Sequence, residues 1–225
     1  MFADDSNLIT SGKSLLSLEQ TINSEIPVLI DWLRTNRLSL NIKKNHIMIF
    51  SPTKTKDPLS IKVKIEGEEL NIVQHTKFLG IIVDNSLNWK QHISYITTKI
   101  SKSIGILSRA RSLLNATIMK QLYYSFLYPY ISYCNIIWGK SSDQALWPLF
   151  KIQKRAIRII YNLRQRDSTK LAFKQLKILR LPELNKFTVL ILCLNSKTAS
   201  YQVSLTISIK RIKHFIATQP GGATY

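Results

Sequence analysis

Acid is scarce in this chain. Thirteen Asp and Glu stand against thirty-two Lys and Arg over 225 residues, a formal charge of +19. The partners to expect are anions displayed in large numbers, nucleic acid first among them. Cysteine is scarcer still: Cys134 and Cys193 sit alone in apolar surroundings, which argues against a disulfide framework and predicts two packed core thiols. His46, His75, His92 and His214 have no second His, Cys or paired carboxylate at ligand spacing, so a structural zinc site is not expected and any metal must come through carboxylates. No apolar run is long. Phe187 to Leu194, interrupted by Thr188, lies between Lys186 and Lys197. That is far short of the ~20 residues needed to cross a bilayer, so a buried helix is predicted there. The opening Met1-Phe2-Ala3-Asp4-Asp5 has neither a basic n-region nor an apolar h-region, which predicts residence inside the cell. No internal repeat is present.

What the chain does contain is enough apolar material, 45% of residues, for one good-sized domain or two small ones. Leu15, Leu18, Ile22, Ile26, Leu29 and Leu33 recur at helical spacing, and Pro27 is expected to kink that helix. Lys43-Lys44 precede the apolar Ile47-Met48-Ile49-Phe50, which ends at Ser51-Pro52 and is predicted as a buried strand. Ile61, Val63 and Ile65 alternate with lysines and meet Glu66-Gly67-Glu68 before Leu70 to Val73, the pattern of a hairpin with one wet face. Phe78 to Asp84 is a further strand or tight hairpin. From Trp89 the period changes: Ile93, Ile96, Ile100, Ile104 and Leu107 mark a long helix. Asn115 caps the next one, which Pro129 interrupts. Residues 151 to 190 hold eleven Lys and Arg against Asp167 and Glu183, the best local candidate for a phosphate-tracking surface. Tyr123, Tyr124, Tyr128, Tyr130, Tyr133, Trp138 and Trp147 could stack on bases, but beside so many Leu and Ile they are predicted to be mostly core.

Asp4-Asp5-Ser6-Asn7 alone is turn chemistry. In context, Phe2-Ala3-Asp4-Asp5 resembles the active-site box that reverse transcriptases place on a β-turn. Trp32, Asn36, Leu38, Leu40-Asn41, Lys44, Met48 and Phe50 resemble the segment that follows it in LINE-type elements, especially jockey-like ones. Phe78-Leu79-Gly80-Ile81 with Asp84, Leu87, Trp89 and His92-Ile93 is similar to the primer-gripping box and the entry to the thumb. Tyr133, Trp138-Gly139 and Ile152-Gln153-Lys154-Arg155-Ala156-Ile157-Arg158 look like the family's helical region beyond the palm. The resemblance runs from about residue 2 to about residue 190.

A non-LTR retrotransposon reverse transcriptase is implied, and with it an α+β fold. A partial palm of antiparallel strands plus a helix would occupy residues 1–88, a basic, mainly helical thumb and connection region residues 89–200, and a tail of no assigned role residues 201–225. The resemblance makes Asp4 and Asp5 ligands of catalytic Mg²⁺. It sets Lys44 near the leaving pyrophosphate as a cation or proton donor and makes Phe78, Leu79 and Gly80 primer-grip-like. Lys151, Lys154, Arg155, Arg158, Arg164 and Arg166 are the candidates for holding RNA template or DNA primer. The chain departs from the family pattern in two places. Asn45 stands where the family has Thr or Ser, and only Met1 precedes the active-site box, so the fingers and the first palm carboxylate are expected to be missing. Asp31, Asp57, Glu66, Glu68, Glu69 and Asp84 are expected to be solvated charges rather than replacements for that carboxylate. The expectation is therefore a C-terminal half of the polymerase, inactive alone unless another chain supplies the missing half. It would reside in the nucleus or cytoplasm as a ribonucleoprotein, not at a membrane. The rivals are a non-catalytic basic nucleic-acid-binding module and an inert element remnant.

Overall fold

Ser14 starts the first element by capping it. Its Oγ accepts a hydrogen bond from the Ser17 N–H at 3.2 Å, and the Ser17 Oγ accepts one from the Ser14 N–H at 3.3 Å. Two of the donors that a helix leaves unpaired at its start are thereby satisfied. The computed structural model describes residues 7–51 and 61–198, with side chains as far as Asn195. These residues form two compact units: one of residues 7–51, 61–76 and 84–87, the other of residues 77–83 and 88–198.

In the first unit, α1 (Leu15–Thr35) runs through Pro27 as one helix and buries Leu18, Ile22, Ile26 and Leu33. A 3-10 turn (Ile42–Lys44) leads into β1 (His46–Ile47). The predicted strand over 47–50 is only partly regular. All four residues are buried, yet the continuous strand stops at Ile47 and Ile49 forms only an isolated bridge. The predicted hairpin forms as β2 (Lys64–Ile65) against β3 (Glu68–Glu69), antiparallel, around Glu66 and Gly67 at φ +51° and +89°. Two positive φ values match the turn to the right-handed twist of the strands. After Leu70 the chain leaves that hairpin. β4 (Asn71–Ile72) pairs in parallel with β1, and the Val73 N–H donates to the Ile47 carbonyl at 2.8 Å. The core is aliphatic: Leu18, Ile22, Ile26, Ile47, Ile49, Ile61, Val63, Ile65 and Leu70. Asp84, expected to be solvated, is buried, and its Oδ1 accepts from the Ser86 N–H at 3.1 Å. A turn that needs a local acceptor explains the carboxylate there.

β5 (His75–Phe78) and β6 (Ile81–Asp84) are joined at Leu79 and Gly80, φ +44° and +82°. Residues 77–83 of this hairpin cluster with the helical unit. There α2 (Lys90–Ala110) buries the predicted stripe Ile93, Ile96, Ile100, Ile104 and Leu107. It packs with α3 (Ala116–Phe126), capped by Asn115 as expected, and with α6 (Asp143–Ile160). α4 (Tyr128–Ser132) carries Pro129 in its first turn, where the missing N–H is harmless, and α5 (Asn135–Trp138) follows. α7 (Lys170–Leu176) and α8 (Leu181–Thr198) complete the unit.

Two expectations fail here. The run in α8 is helical but not buried: Leu181 and Leu184 are in the core, whereas Phe187, Leu190, Ile191, Leu192 and Leu194 are exposed. A stretch that is apolar all round can seat only one face, and only its first turn is seated. Cys193 is exposed with it, and Cys134 is half-buried, so neither is the closed core thiol predicted. Among the described residues no helix is long and apolar enough to cross a membrane.

Candidate nucleic-acid interface

The residues expected to carry chemistry fall into three groups. Asp4 and Asp5 lie outside the described residues, as do Asp57 and the tail 201–225. Lys44 ends the 3-10 turn and is exposed, as is Lys43 beside it. The Lys44 N–H donates to the Asn41 carbonyl at 3.0 Å, so the backbone is tied while the side chain stays open to solvent. Asn45 is buried, and its Oδ1 has no partner among the described residues. Among the described residues no three His, Cys, Asp or Glu come together to hold a metal ion.

Phe78, Leu79 and Gly80 sit at the tip of the β5–β6 hairpin, which the helical unit holds by two bonds. The Tyr133 hydroxyl donates to the Leu79 carbonyl at 2.7 Å, and the Ile82 N–H donates to Nδ1 of His92 at 3.3 Å. A Cβ on Gly80 would meet the Tyr133 ring at an ordinary 3.5 Å. The positive φ, not space, therefore calls for glycine there. His92 is buried with its ring edge-on to Trp138, centroids 5.7 Å apart. Its Nε2 has no partner among the described residues, and burial holds its pKa below the usual imidazole value.

The third group is the basic one. α6 has a buried side, Leu146, Leu149, Gln153, Ala156, Ile157 and Ile160, and an outer side where Lys151 and Arg155 are exposed and Lys154 is half-buried. Arg164 and Arg166 are exposed in the loop that follows. Arg158, half-buried like Lys154, differs from the rest in that its guanidinium donates to the Asp167 carbonyl at 3.3 Å. The Asp167 carboxylate in turn accepts from the Arg164 N–H at 2.8 Å. Arg158 thus shapes the loop that presents Arg164 and Arg166, a structural duty that a count of positive charges does not reveal.

Of the aromatics expected mostly in the core, Tyr123 and Trp138 are fully buried, while Tyr124, Tyr130, Tyr133 and Trp147 are exposed. Trp147 and Phe150 lie under the cations of α6. Lys154 Nζ is 4.7 Å from the Trp147 centroid and 4.3 Å from that of Phe150, and Lys151 Nζ is 5.6 Å from Trp147.

The motif residues behind this surface are structural. Gln153 is buried, donates to the Tyr123 hydroxyl at 3.0 Å and to the Leu179 carbonyl at 2.9 Å, and accepts from the Leu181 N–H at 2.9 Å. One amide ties α6 to α3 and to the start of α8. Burial raises the Tyr123 pKa well above the usual phenol range, although the bond from Gln153 opposes the shift. The Trp138 indole donates to the Tyr133 carbonyl at 2.9 Å. Asn185 Nδ2 donates to the Asn135 carbonyl at 3.0 Å, and Asn135 Nδ2 to the Ile131 carbonyl at 3.2 Å. A Cβ on Gly139 would meet the Asn135 carbonyl and Asn185 Nδ2 at 2.5 Å each. Trp138-Gly139 is therefore a packing requirement of the helical unit. The pattern that could have marked Gln153 and Asn185 beforehand is a lone amide on an otherwise apolar helical face.

No family model matches the chain, and no solved structure matches it. Several of its curated relatives are RNA-directed DNA polymerases of mobile elements. It is 27% identical over 134 residues to the probable RNA-directed DNA polymerase from transposon X-element of Drosophila melanogaster, covering 58% of this chain and 14% of that protein. It is 24% identical over 174 residues to the RNA-directed DNA polymerase from mobile element jockey of the same fly, covering 74% of this chain and 19% of that protein. It is 22% identical over 147 residues to the retrovirus-related Pol polyprotein from type-1 retrotransposable element R1 2 of Nasonia vitripennis, covering 61% and 35%. The chain thus spans a small part of the length of the relatives it matches.

Proposed function

Because the chain is related to the RNA-directed DNA polymerases of non-LTR retrotransposons, we propose that it is the stretch of such an enzyme that runs from the active-site turn through the palm into the thumb. On this reading the helical unit binds the backbone of RNA template or DNA primer. The supporting observation is charge: residues 77–83 and 88–198 hold twenty Lys and Arg against Asp143, Asp167 and Glu183. The outer side of α6 and the loop after it expose those cations on a well-closed core. Phosphate contacts of this kind give affinity without sequence readout.

Asp4 and Asp5 would hold Mg²⁺, which in this chemistry activates a primer hydroxyl and neutralises the triphosphate. Lys44 would offer a proton or positive charge to the leaving pyrophosphate. Phe78 to Gly80, fixed by Tyr133 and His92, would steady the primer end. Such a site needs a further carboxylate, supplied by another polymerase segment in this or another chain. The 225-residue polypeptide by itself is therefore expected to bind and not to polymerise. The setting is intracellular, in a ribonucleoprotein of the nucleus or cytoplasm. A non-catalytic nucleic-acid-binding role is the second reading, favoured by the same surplus of positive charge.

The test uses the purified chain with a labelled DNA primer annealed to RNA and Mg²⁺, beside the Asp4→Ala, Asp5→Ala double variant. Binding that weakens steeply with salt, without extension, is expected. Extension abolished in the double variant would show that the polymerase site is complete in this polypeptide. Absence of binding at low salt would refute the reading altogether.

A further inference from the structure

α6 carries an indole that the core does not use. Trp147 is 47% exposed on a helix whose opposite face is already closed. Its ring meets Phe150 edge to face, centroids 6.1 Å apart, and has the ammonium groups of Lys151 and Lys154 above it. Along the helix, Trp147, Lys151 and Arg155 follow one another at four-residue spacing, one line on one face. Asp143, one turn earlier, is the single acid in α6. Beside this line a groove of about 290 Å³ opens between α2 and α6, with Lys90, Ser94 and Thr97 on one wall and Gln144 and Pro148 on the other. Pro148 has no N–H to give the Gln144 carbonyl, so the helix does not use that acceptor in its usual way.

We infer that this half of α6 is a site for unpaired nucleotides of a single strand. One base stacks on Trp147, the flanking phosphates meet Lys151 and Arg155, and the neighbouring base enters the groove, where the Gln144 side chain meets its edge. The inference rests on the nucleic-acid reading above and narrows it. A large flat apolar face ringed by cations complements a polyanion that also offers flat apolar faces, and only unpaired bases expose theirs. A base that displaces an ammonium from the indole leaves it beside the phosphate that the same base carries. A duplex, its bases stacked on one another, would use the cations and leave Trp147 idle.

The experiment uses the full chain and three probes: a single-stranded RNA, an abasic strand of the same length and charge, and a blunt RNA–DNA duplex of half that length, which carries about the same number of phosphates. Trp147→Ala is expected to weaken the single strand about tenfold and to leave the duplex and the abasic strand unchanged. Trp147→Phe is expected to keep most of the affinity and to lose most of the tryptophan quenching expected when the wild-type chain binds the single strand. Lys151→Glu with Arg155→Glu weakens all three probes. If the charge-reversed variant weakens all three while Trp147→Ala weakens none, or weakens all alike, the stacking site is refuted and nucleic-acid binding stands. If the wild-type chain binds no probe at low salt, the underlying reading falls with it.

Discussion

Residues 7–51, 61–76 and 84–87 hold seven Lys and Arg and seven Asp and Glu, whereas residues 77–83 and 88–198 hold twenty against three. The two units differ as much inside. The first closes an aliphatic core over paired strands only two residues long. The second threads Gln153, Asn135 and Asn185 through its core with their hydrogen bonds made, around Tyr123 and Trp138. Satisfied buried amides specify one packing over its alternatives, since any slip would leave them unpaired at a cost of about 1–3 kcal/mol per group. Strong self-repulsion in the helical unit makes such specification useful: a unit with so large a positive excess has its compact state opposed by its own surface. The neutral unit faces no comparable repulsion and relies on aliphatic burial.

The sharpest way to break this comparison is to place the same methyl group in each unit. At Gly139 the new Cβ meets the Asn135 backbone oxygen and the Asn185 side-chain amide at 2.5 Å, and the backbone oxygen cannot swing away. At Gly67 nothing lies within 4 Å and only the φ of +89° resists. Gly139→Ala is expected to destabilise the helical unit by about 3 kcal/mol, the upper range for overpacking, read as loss of helical circular dichroism at lower urea. Gly67→Ala should cost about 1 kcal/mol through its dihedral alone. Equal effects would mean that the tight polar packing around Asn135 is not what holds the helical unit.

How far each unit was legible in the sequence follows from the same contrast. The stripe from Ile93 to Leu107 announced α2 because a one-sided period of 3.6 has a single interpretation. Burial of Ile47 to Phe50 was equally plain, but the parallel partner of β1 was not, since pairing across more than twenty residues leaves no local pattern. Apolar neighbours alone draw Trp147 toward the core, yet it is exposed. It lies one residue past Leu146 and two before Leu149, which turns it about 100° and 200° away from those core positions. Charge alone places Arg158 among the phosphate-binding cations and does not reveal that it holds the Asp167 loop. The α8 run erred in the other direction: apolar residues on every side cannot indicate which of them finds a neighbour. The proposed roles of Asp4 and Asp5, which lie outside the described residues, rest on the resemblance of Phe2-Ala3-Asp4-Asp5 to the family's active-site box.

His92 provides a second, smaller way to separate the units, because its titration acts inside the helical one. Burial favours the neutral ring, so the folded pKa lies below the unfolded value of about 6.5. The unfolded chain then binds the extra proton as pH falls. The stability contributed is fully present above the unfolded pKa and is lost as the solution is acidified below it. Urea melts at pH 7.5 and pH 5 should show the loss in the wild-type chain. His92→Gln, which keeps an acceptor for the Ile82 N–H, should show less of it. The signal should appear in the helix-dominated melt; an undiminished loss in the variant would assign the acid sensitivity elsewhere.

The smallest effect belongs to the first unit and tests whether its balanced charges do any work. Arg34 donates to Glu66 at 2.7 Å, joining α1 to the β2–β3 turn, but the two side chains keep 68% and 49% of their surface in water. Water and salt screen such a pair, and holding two long side chains in place costs entropy, so Arg34→Ala is expected to lower stability by no more than about 0.5 kcal/mol, vanishing in high salt. A larger loss, persisting in salt, would mean that this contact sets the register of the β2–β3 hairpin on α1. Charge would then be structural in the unit where it sums to zero, while in the helical unit, where it does not, the free cations of α6 remain available to a ligand.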